Sequence, residues 1–357
     1  MFSKFIKKKH IVVALSGGVD SAVAAALVKN PRYKVTGVFM YFWADKTMKD
    51  ECENSCCPPD AAEDARKIAN ELGIDFLTVD FKNIFKKEIV DDYIDELAEG
   101  RTPSPCVMCN AQVRLGHFLE WAEKELDADY IATGHYAQIC KYKKRHLLKQ
   151  PRDLLKDQTY FLYRLKEKQL KRILFPLGQL RKTDVRNLAR EMGLPVHAKK
   201  DSQDLCWVGG DQDKFIRNNI DMCQGDIVDS EGTILGEHAG LPLYTFGQRR
   251  GINVTSGKGP YYVIEKNAKD NQLVVTADPN DPKLLRTHFK LRKPIYVLKK
   301  DKWPKKLSVR LRSNSKLIPV KMVGESFELL EPQRAVTPGQ SAVFYAGKKV
   351  LGGGIID

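Results

Sequence analysis

Ile11-Val12-Val13-Ala14-Leu15-Ser16-Gly17-Gly18-Val19-Asp20-Ser21 is the stretch on which the reading of this chain turns. The β-branched run at 11–13 predicts a buried strand. Gly17 and Gly18 allow a tight turn and a close approach of backbone to ligand. The run from Ala22 to Val28 predicts a helix that ends before Pro31. A strand, a glycine turn and a helix N-terminus in succession aim free backbone N–H groups at an anion. Ser16 and Ser21 add hydroxyl donors. Asp20 repels phosphate unless a divalent cation lies between them. The spacing is neither G-x-x-x-x-G-K-[ST] nor G-x-G-x-x-G.

The rest of the first two hundred residues alternates. Residues 35–40, 76–79 and 130–133 read as further strands. Asp60, with Glu63 three positions on, predicts a capped helix through Ala65, Ile68, Ala69 and Leu72, stopped by Gly73. Leu115, Phe118, Leu119, Ala122 and Leu126 predict an amphipathic helix over 111–126. Such alternation implies an α/β doubly wound parallel sheet with its ligand at the carboxyl ends of the strands. Beyond about residue 210 the runs at 225–234, 259–265 and 272–276 are short and strand-like, and 278–282 reads as a linker. Six more runs, at 294–298, 307–311, 318–322, 326–330, 341–345 and 350–356, predict a C-terminal all-β barrel or sandwich. The expected division is therefore 1–210, a small central domain at 211–282, and 283–357.

A hydrophobic fraction of 43% over 357 residues supports a core in more than one domain. No apolar run is long enough to span a bilayer, and the apolar stretch in the basic start is too short for a signal peptide. The expected location is the cytoplasm. The 59 basic residues outnumber the 45 acidic ones, giving +14. Clusters at 141–156 and 290–312 carry much of that excess, which favours a nucleic acid partner. Eight cysteines, at 52, 56, 57, 106, 109, 140, 206 and 223, suggest metal or redox chemistry ahead of structural disulfides. Two prolines, Pro103 and Pro105, fix the backbone ahead of Cys106-Val107-Met108-Cys109. Cys109 falls near the start of the expected helix, whose positive end favours a thiolate. One C-x-x-C falls short of the four ligands of a structural zinc site. By spacing alone Cys206 reads as a small buried hydrophobe, Tyr136 and Tyr244 as core, and His117 and His238 as ordinary polar residues. The other five cysteines receive no catalytic role, with Cys56 and Cys57 in a polar loop.

The loop at 14–21 resembles the PP-loop of the ATP pyrophosphatases. The chain as a whole resembles the tRNA-specific 2-thiouridylases of MnmA type. The carrying motifs are Ser16–Ser21, 37–40, Asp64-Ala65-Arg66, 102–110, 132–136, Lys156-Asp157-Gln158, Lys200-Asp201-Ser202 with Cys206, 244–251 and 337–343. The resemblance implies ATP on Ala14, Leu15, Ser16, Gly17, Gly18, Val19, Asp20 and Ser21, with the adenine near Met40 and Gly134 and Mg2+ offsetting phosphate charge. It implies attack of the wobble uridine O2 on the α-phosphorus, release of pyrophosphate, and displacement of AMP by sulfur at C2. Cys109 matches the family's nucleophile and Cys206 the cysteine that carries persulfide from a sulfur donor, a cysteine desulfurase or a relay protein. Ser104, Pro105 and Cys106 match the segment that meets the flipped base, and His135, Lys156, Asp157, Gln158, Arg310, Leu311 and Gln340 match tRNA-contacting positions. Many members carry Asp where this chain has Cys106, which puts a general-base role there in doubt. Related tRNA thiolases hold a [4Fe–4S] cluster on three cysteines, so Cys106, Cys109 and Cys206 leave two readings open: cluster ligands, or a persulfide resolved through a transient disulfide. A lysidine synthetase-like enzyme and a non-catalytic zinc-containing tRNA-binding protein compete with the thiolase for the same residues.

Overall fold

The computed structural model describes residues 8–45, 60–199, 205–208, 211–254, 259–334 and 336–357. Cys52, Cys56 and Cys57 lie outside the described residues, as do positions 200–204. The chain runs β1 (Lys9–Ala14), α1 (Val19–Val28), β2 (Tyr33–Tyr41), α2 (Ala61–Leu72), β3 (Asp75–Asp80) and α3 (Lys82–Phe85). A π-helical turn at Lys86–Val90, α4 (Asp91–Ala98), α5 (Pro105–Met108), a π-helical run at Cys109–His117 and α6 (Phe118–Leu126) follow. Then come β4 (Tyr130–Ala132), β5 (Gln138–Tyr142), β6 (Arg145–Lys149), α7 (Thr159–Leu162), α8 (Glu167–Leu170), β7 (Ile173–Leu174) and α9 (Lys182–Glu191).

By contact, residues 1–88, 106–210 and 348–350 form one compact unit, and 89–105, 211–347 and 351–357 form a second. The first is built on a parallel sheet of order β3-β2-β1-β4-β7. The strand order reverses between β1 and β4, so the ligand crevice of such a sheet opens at their carboxyl ends. Helix α1 is almost wholly apolar because it is buried: Ala22, Val23, Ala24 and Ala25 join Ile11, Val13 and Leu15 in one core with Phe39, Ile68 and Leu177.

Three local features depart from expectation. Asp60 has helical backbone angles and its side chain makes no cap bond, so the expected capping box does not form, although Gly73 ends α2 in the left-handed conformation as expected. The helix expected over 111–126 begins at Pro105, and its segment Cys109–His117 is π-helical. Its apolar face is nonetheless the expected one, with Leu115, Phe118, Leu119 and Ala122 buried. The β5–β6 hairpin was not expected. Lys143 and Lys144 both take positive φ in its two-residue turn, where sequence normally announces the turn with Asn-Gly.

The second unit holds α4, α10 (Gln212–Asn219) and two sheets. The smaller has order β10-β11-β8-β9, from β8 (Gly225–Val228), β9 (Ile234–His238), β10 (Tyr262–Asn267) and β11 (Gln272–Thr276), around Ile227, Val263, Leu273 and Val275. The larger follows the order β12-β16-β15-β14-β17-β18, with β13 on β18. Its strands are β12 (Leu285–Phe289), β13 (Leu291–Tyr296), β14 (Leu307–Arg310), β15 (Ile318–Val323), β16 (Ser326–Arg334), β17 (Ser341–Ala346) and β18 (Lys349–Ile356). Phe327 and Phe344, with ring centroids 4.3 Å apart, anchor its core, and Phe289 stacks on both.

Candidate active site

The loop after β1 is set by its neighbours. Leu15 N–H donates to the Val38 carbonyl at 2.8 Å, carrying the sheet register into the turn. Gly17 has φ +71°, and a Cβ there would lie 2.5 Å from the Ala61 carbonyl oxygen, so only glycine fits. Gly18 then caps α1 in an extended conformation. The Ser21 hydroxyl donates to the Gly18 carbonyl at 2.9 Å and accepts the Ser16 N–H at 3.1 Å. It is therefore a brace inside the turn, whereas Ser16 is exposed to a ligand.

Three side chains meet at the first turn of α1. Lys182 Nζ donates to both carboxylate oxygens of Asp20 at 2.8 Å, and the Tyr136 hydroxyl donates to Oδ1 at 2.8 Å. A lysine thus offsets the acid that the sequence left facing phosphate. Tyr136 is buried, as expected of a core residue, yet its polar tip reaches the loop. Gly134, at the end of β4, is pressed against this turn: a Cβ there would lie 2.7 Å from Asp20 C and 2.8 Å from Ser21 N. Lys199 Nζ donates to Asp64 at 2.8 Å and to the Gly17 carbonyl at 3.3 Å, bringing a second cation to the loop. Met40 is buried near the end of β2. The Asp20 carboxylate is a hard oxygen donor beside the anion cradle, which is the chemistry Mg2+ takes.

The next residue along β4's exit is His135. Thr133 Oγ1 lies 2.6 Å from its Nδ1 and accepts its backbone N–H at 3.1 Å. Desolvation by the surrounding protein, with a contribution from the Arg114 charge, pushes its imidazole down to about 3, so it is neutral at physiological pH. Arg114 belongs to the π-helical run that starts at Cys109. Its guanidinium lies 4.8 Å from the Phe42 ring centroid and its Nη2 lies 3.9 Å from Cys206 Sγ. Cys206 is held there by Trp207, which is buried and packs edge-on to Phe85 with centroids 6.2 Å apart. Gly134 is packed on the loop and Arg114 on Cys206, all within the first unit. Cys109 is buried and Cys106 half-buried. Cys109 lies a turn inside the helix that opens at Pro105, so Cys106 is nearer the positive end than the sequence suggested. Among the described residues no three Cys, His, Asp or Glu side chains converge as a metal set. Cys106, Cys109 and Cys206 do not fit as ligands of one [4Fe–4S] cluster in this conformation.

The positions matched to tRNA contacts differ in character. Asp157 is buried, accepting from Gln150 Nε2 at 2.7 Å and from the Thr159 hydroxyl at 2.6 Å, and Gln158 Oε1 accepts the Tyr136 N–H at 2.7 Å. These two shape the loop, while Lys156 is half-exposed and the adjoining Leu155 is 94% exposed. In the second unit Arg310 is buried with its guanidinium 5.3 Å from the Tyr345 ring centroid, Leu311 is buried, and the Gln340 amide donates to the Thr102 carbonyl at 2.9 Å. Ser104 is half-buried and Pro105 buried. Sequence reading did not find Lys182 or Arg114. Nothing in their spacing ties them to Asp20 or Cys206; folding alone brings them together.

A parallel sheet of order β3-β2-β1-β4-β7, with Ser-Gly-Gly-Val-Asp-Ser at its switch point, defines a nucleotide-binding domain of the HUP, PP-loop class. Family models match the chain in three parts: a tRNA methyl transferase HUP domain at 9–210, a tRNA methyl transferase PRC-barrel domain at 213–277 and an aminomethyltransferase beta-barrel domain at 286–356. Curated relatives include tRNA-specific 2-thiouridylase MnmA 2 of Clostridium tetani, 42% identical over 99% of both chains. MnmA 1 of Clostridium botulinum (strain Loch Maree / Type A3) is 41% identical over 98% of this chain and 99% of its own. MnmA 2 of Caldanaerobacter subterraneus is 41% identical over 98% of each. The chain belongs to the MnmA-type tRNA-specific 2-thiouridylase family. A solved 4-thiouridine synthetase–RNA complex with bound ATP overlaps loosely, at 19% identity and a TM-score of 0.37 over 57% of this chain and 46% of that one.

Proposed function

We propose that this protein replaces the C2 oxygen of the wobble uridine of tRNA with sulfur, using ATP. The observation that carries the reading is that the glycine loop, closely backed by Gly134, shares one compact unit with Cys206, whose Sγ lies 3.9 Å from Arg114 Nη2. It supports a phosphate-activating centre beside a sulfur-carrying one. Full-length similarity to relatives named as 2-thiouridylases gives the substrate class.

The chemistry follows from the poor leaving ability of a carbonyl oxygen. ATP lies on 14–21, with its adenine towards Met40 and Gly134. The uridine O2 attacks the α-phosphorus, the α–β phosphoanhydride bond breaks and pyrophosphate leaves; the N3 proton departs as O2 becomes a phosphate ester. Exposed Ser16 and the first N–H groups of α1 hold phosphate oxygens, while Lys199 and Lys182 keep the field at the loop positive. Mg2+, when bound with the phosphates near Asp20, supplies further charge neutralisation. The terminal sulfur of a Cys206 persulfide then forms a bond to C2 and AMP leaves. Cys109 thiolate attacks Cys206 Sγ, forming the Cys109–Cys206 disulfide and leaving sulfur on the base, where N3 regains a proton. A thiol reductant restores both cysteines. A cysteine desulfurase or relay protein supplies the persulfide. Neutral His135 serves as a hydrogen-bonding group to RNA, not as a cation.

Ser104, Pro105 and Cys106 border the flipped base, and Lys156 and the basic stretch at 290–312 each meet the phosphate backbone. Among the described residues no helix is long and apolar enough to cross a membrane, and a tRNA substrate suits a reaction in the cytoplasm. The test is retention of label: with ATP labelled at the α-phosphate, unmodified tRNA and no sulfur donor, label joins the tRNA through the wobble uridine. Tightly bound ATP with unlabelled tRNA contradicts the reading.

A further inference from the structure

Tyr244-Thr245-Phe246-Gly247-Gln248-Arg249-Arg250-Gly251 carries part of the family likeness, yet no residue of it enters the reaction. The stretch lies within the second unit, as do all the residues that hold it. Its aromatic side chains face inward. Tyr244 and Phe246 are buried; Tyr244 meets the His238 ring edge-on with centroids 6.0 Å apart, and the Arg286 guanidinium lies 5.0 Å from the Phe246 ring centroid. The Tyr244 carbonyl accepts from Lys266 Nζ at 2.9 Å.

The backbone beyond Phe246 is pinned just as firmly. Gly247 N–H donates to the Val263 carbonyl at 2.8 Å and Val263 N–H to the Gln248 carbonyl at 3.0 Å, so the turn is bonded to β10 in both directions. Gln248 then closes the turn with its own side chain. Its Oε1 accepts the Thr245 N–H at 2.9 Å and its Nε2 donates to the Arg250 carbonyl at 2.9 Å. Gly247 and Gly251, with φ +79° and +72°, bracket the two arginines.

What this scaffold presents is a pair of guanidinium groups. Arg249 and Arg250 are both exposed, and among the described residues neither side chain has an ion-pair, hydrogen-bond or ring partner. Other arginines of the same unit are occupied within it: Arg292 on Glu96, Arg310 over Tyr345 and Arg286 over Phe246. Adjacent like charges repel, and a bound anion offsets that repulsion. The planar guanidinium fork matches phosphate oxygens two at a time, and a turn already ordered loses little entropy on binding.

We propose that the 244–251 turn is a phosphate grip: Arg249 and Arg250 hold the sugar–phosphate backbone of the RNA substrate, and Gln248 is the positioning residue that keeps them presented. The choice of RNA as the ligand rests on the thiolation reading, whose substrate is tRNA.

The experiment uses the full-length protein and unmodified tRNA without ATP or sulfur donor, so that binding is read apart from chemistry. Gel-shift affinities are measured over a range of salt concentrations, and circular dichroism checks each fold. The variants are Arg249→Gln with Arg250→Gln, Arg249→Lys with Arg250→Lys, and Gln248→Met. The glutamine pair should lower affinity about tenfold or more and reduce the salt slope by about 1.5, which is two phosphates at roughly 0.7–0.9 each. The lysine pair should restore the slope and leave affinity about threefold low, because an ammonium makes no fork. Gln248→Met keeps both charges and should weaken binding about threefold through lost presentation. Wild-type affinity in Gln248→Met overturns the positioning role. If the glutamine pair binds tRNA as wild type does, the grip is overturned and the thiolation reading stands. Intact RNA binding with slowed persulfide transfer from a donor protein overturns it equally, and assigns the arginines to a protein surface. If thiolation fails while the glutamine pair still loses RNA affinity, the grip stands and the reaction alone is wrong.

Discussion

Lys182, at the first position of α9, donates to both carboxylate oxygens of Asp20, in the first turn of α1, at 2.8 Å. The pair is largely shielded, with 12% and 31% side-chain exposure, and sits where the phosphates of a nucleotide are expected. Lys182→Met leaves a carboxylate facing those phosphates with only the Tyr136 hydroxyl on it. ATP affinity measured by calorimetry should fall on the order of tenfold to a hundredfold, with Lys182→Arg recovering part of it. Unchanged affinity would mean that the pair is structural.

Gly17 and Gly134 have no room for a side chain. A Cβ at either would meet backbone, Ala61 O at 2.5 Å or Asp20 C at 2.7 Å, and backbone cannot swing aside. Gly134→Ala should move α1 away from β4, destabilise the protein by about 1–3 kcal/mol and remove the rise in melting temperature that ATP gives wild type. Thermal melts with and without ATP check this.

Glu96 provides a pH signature. Burial by itself raises its pKa, but hydrogen bonds and charge from Arg292 and Arg101 outweigh that and hold it at about 2. A carboxyl depressed on folding stabilises fully above its unfolded pKa, near 4.5, and the contribution is lost as pH falls towards 2. Glu96→Gln should therefore cost about 2–3 kcal/mol in denaturant melts at pH 7, and the gap to wild type should close between pH 4.5 and 2. A gap independent of pH would assign the loss to packing.

Arg114 Nη2, 3.9 Å from Cys206 Sγ, places a fixed cation beside the sulfur proposed to carry the persulfide. Arg114→Gln should shift the iodoacetamide alkylation profile of Cys206 to higher pH, with Arg114→Lys intermediate. Cys109→Ser and Cys206→Ser should each abolish thiolation and leave ATP binding intact.

Much of this was legible in sequence because it rests on local patterns. The β-branched run before Gly17, the paired glycines and the apolar α1 specify a strand, a turn and a buried helix within twenty residues. The motif order carried the family. Other features rest on long-range contacts or on backbone states that the side chains do not announce. Lys143 and Lys144 make a hairpin turn without Asn or Gly, and the π-helical run at Cys109–His117 keeps the apolar face of an α-helix. Asp60 resembles a cap and is not one, since its backbone is already helical. Lys182 and Arg114 are two basic residues among 59 until folding sets them on Asp20 and Cys206.

The most direct test supplies purified protein with ATP, Mg2+, a persulfide donor and an unmodified transcript whose anticodon begins with uridine. Nucleoside mass spectrometry and pyrophosphate release are followed together. The expected result is one 2-thiouridine at the wobble position for each pyrophosphate released, both abolished by Asp20→Ala. Pyrophosphate without sulfur on the base, or sulfur incorporation that does not need ATP, would contradict the account.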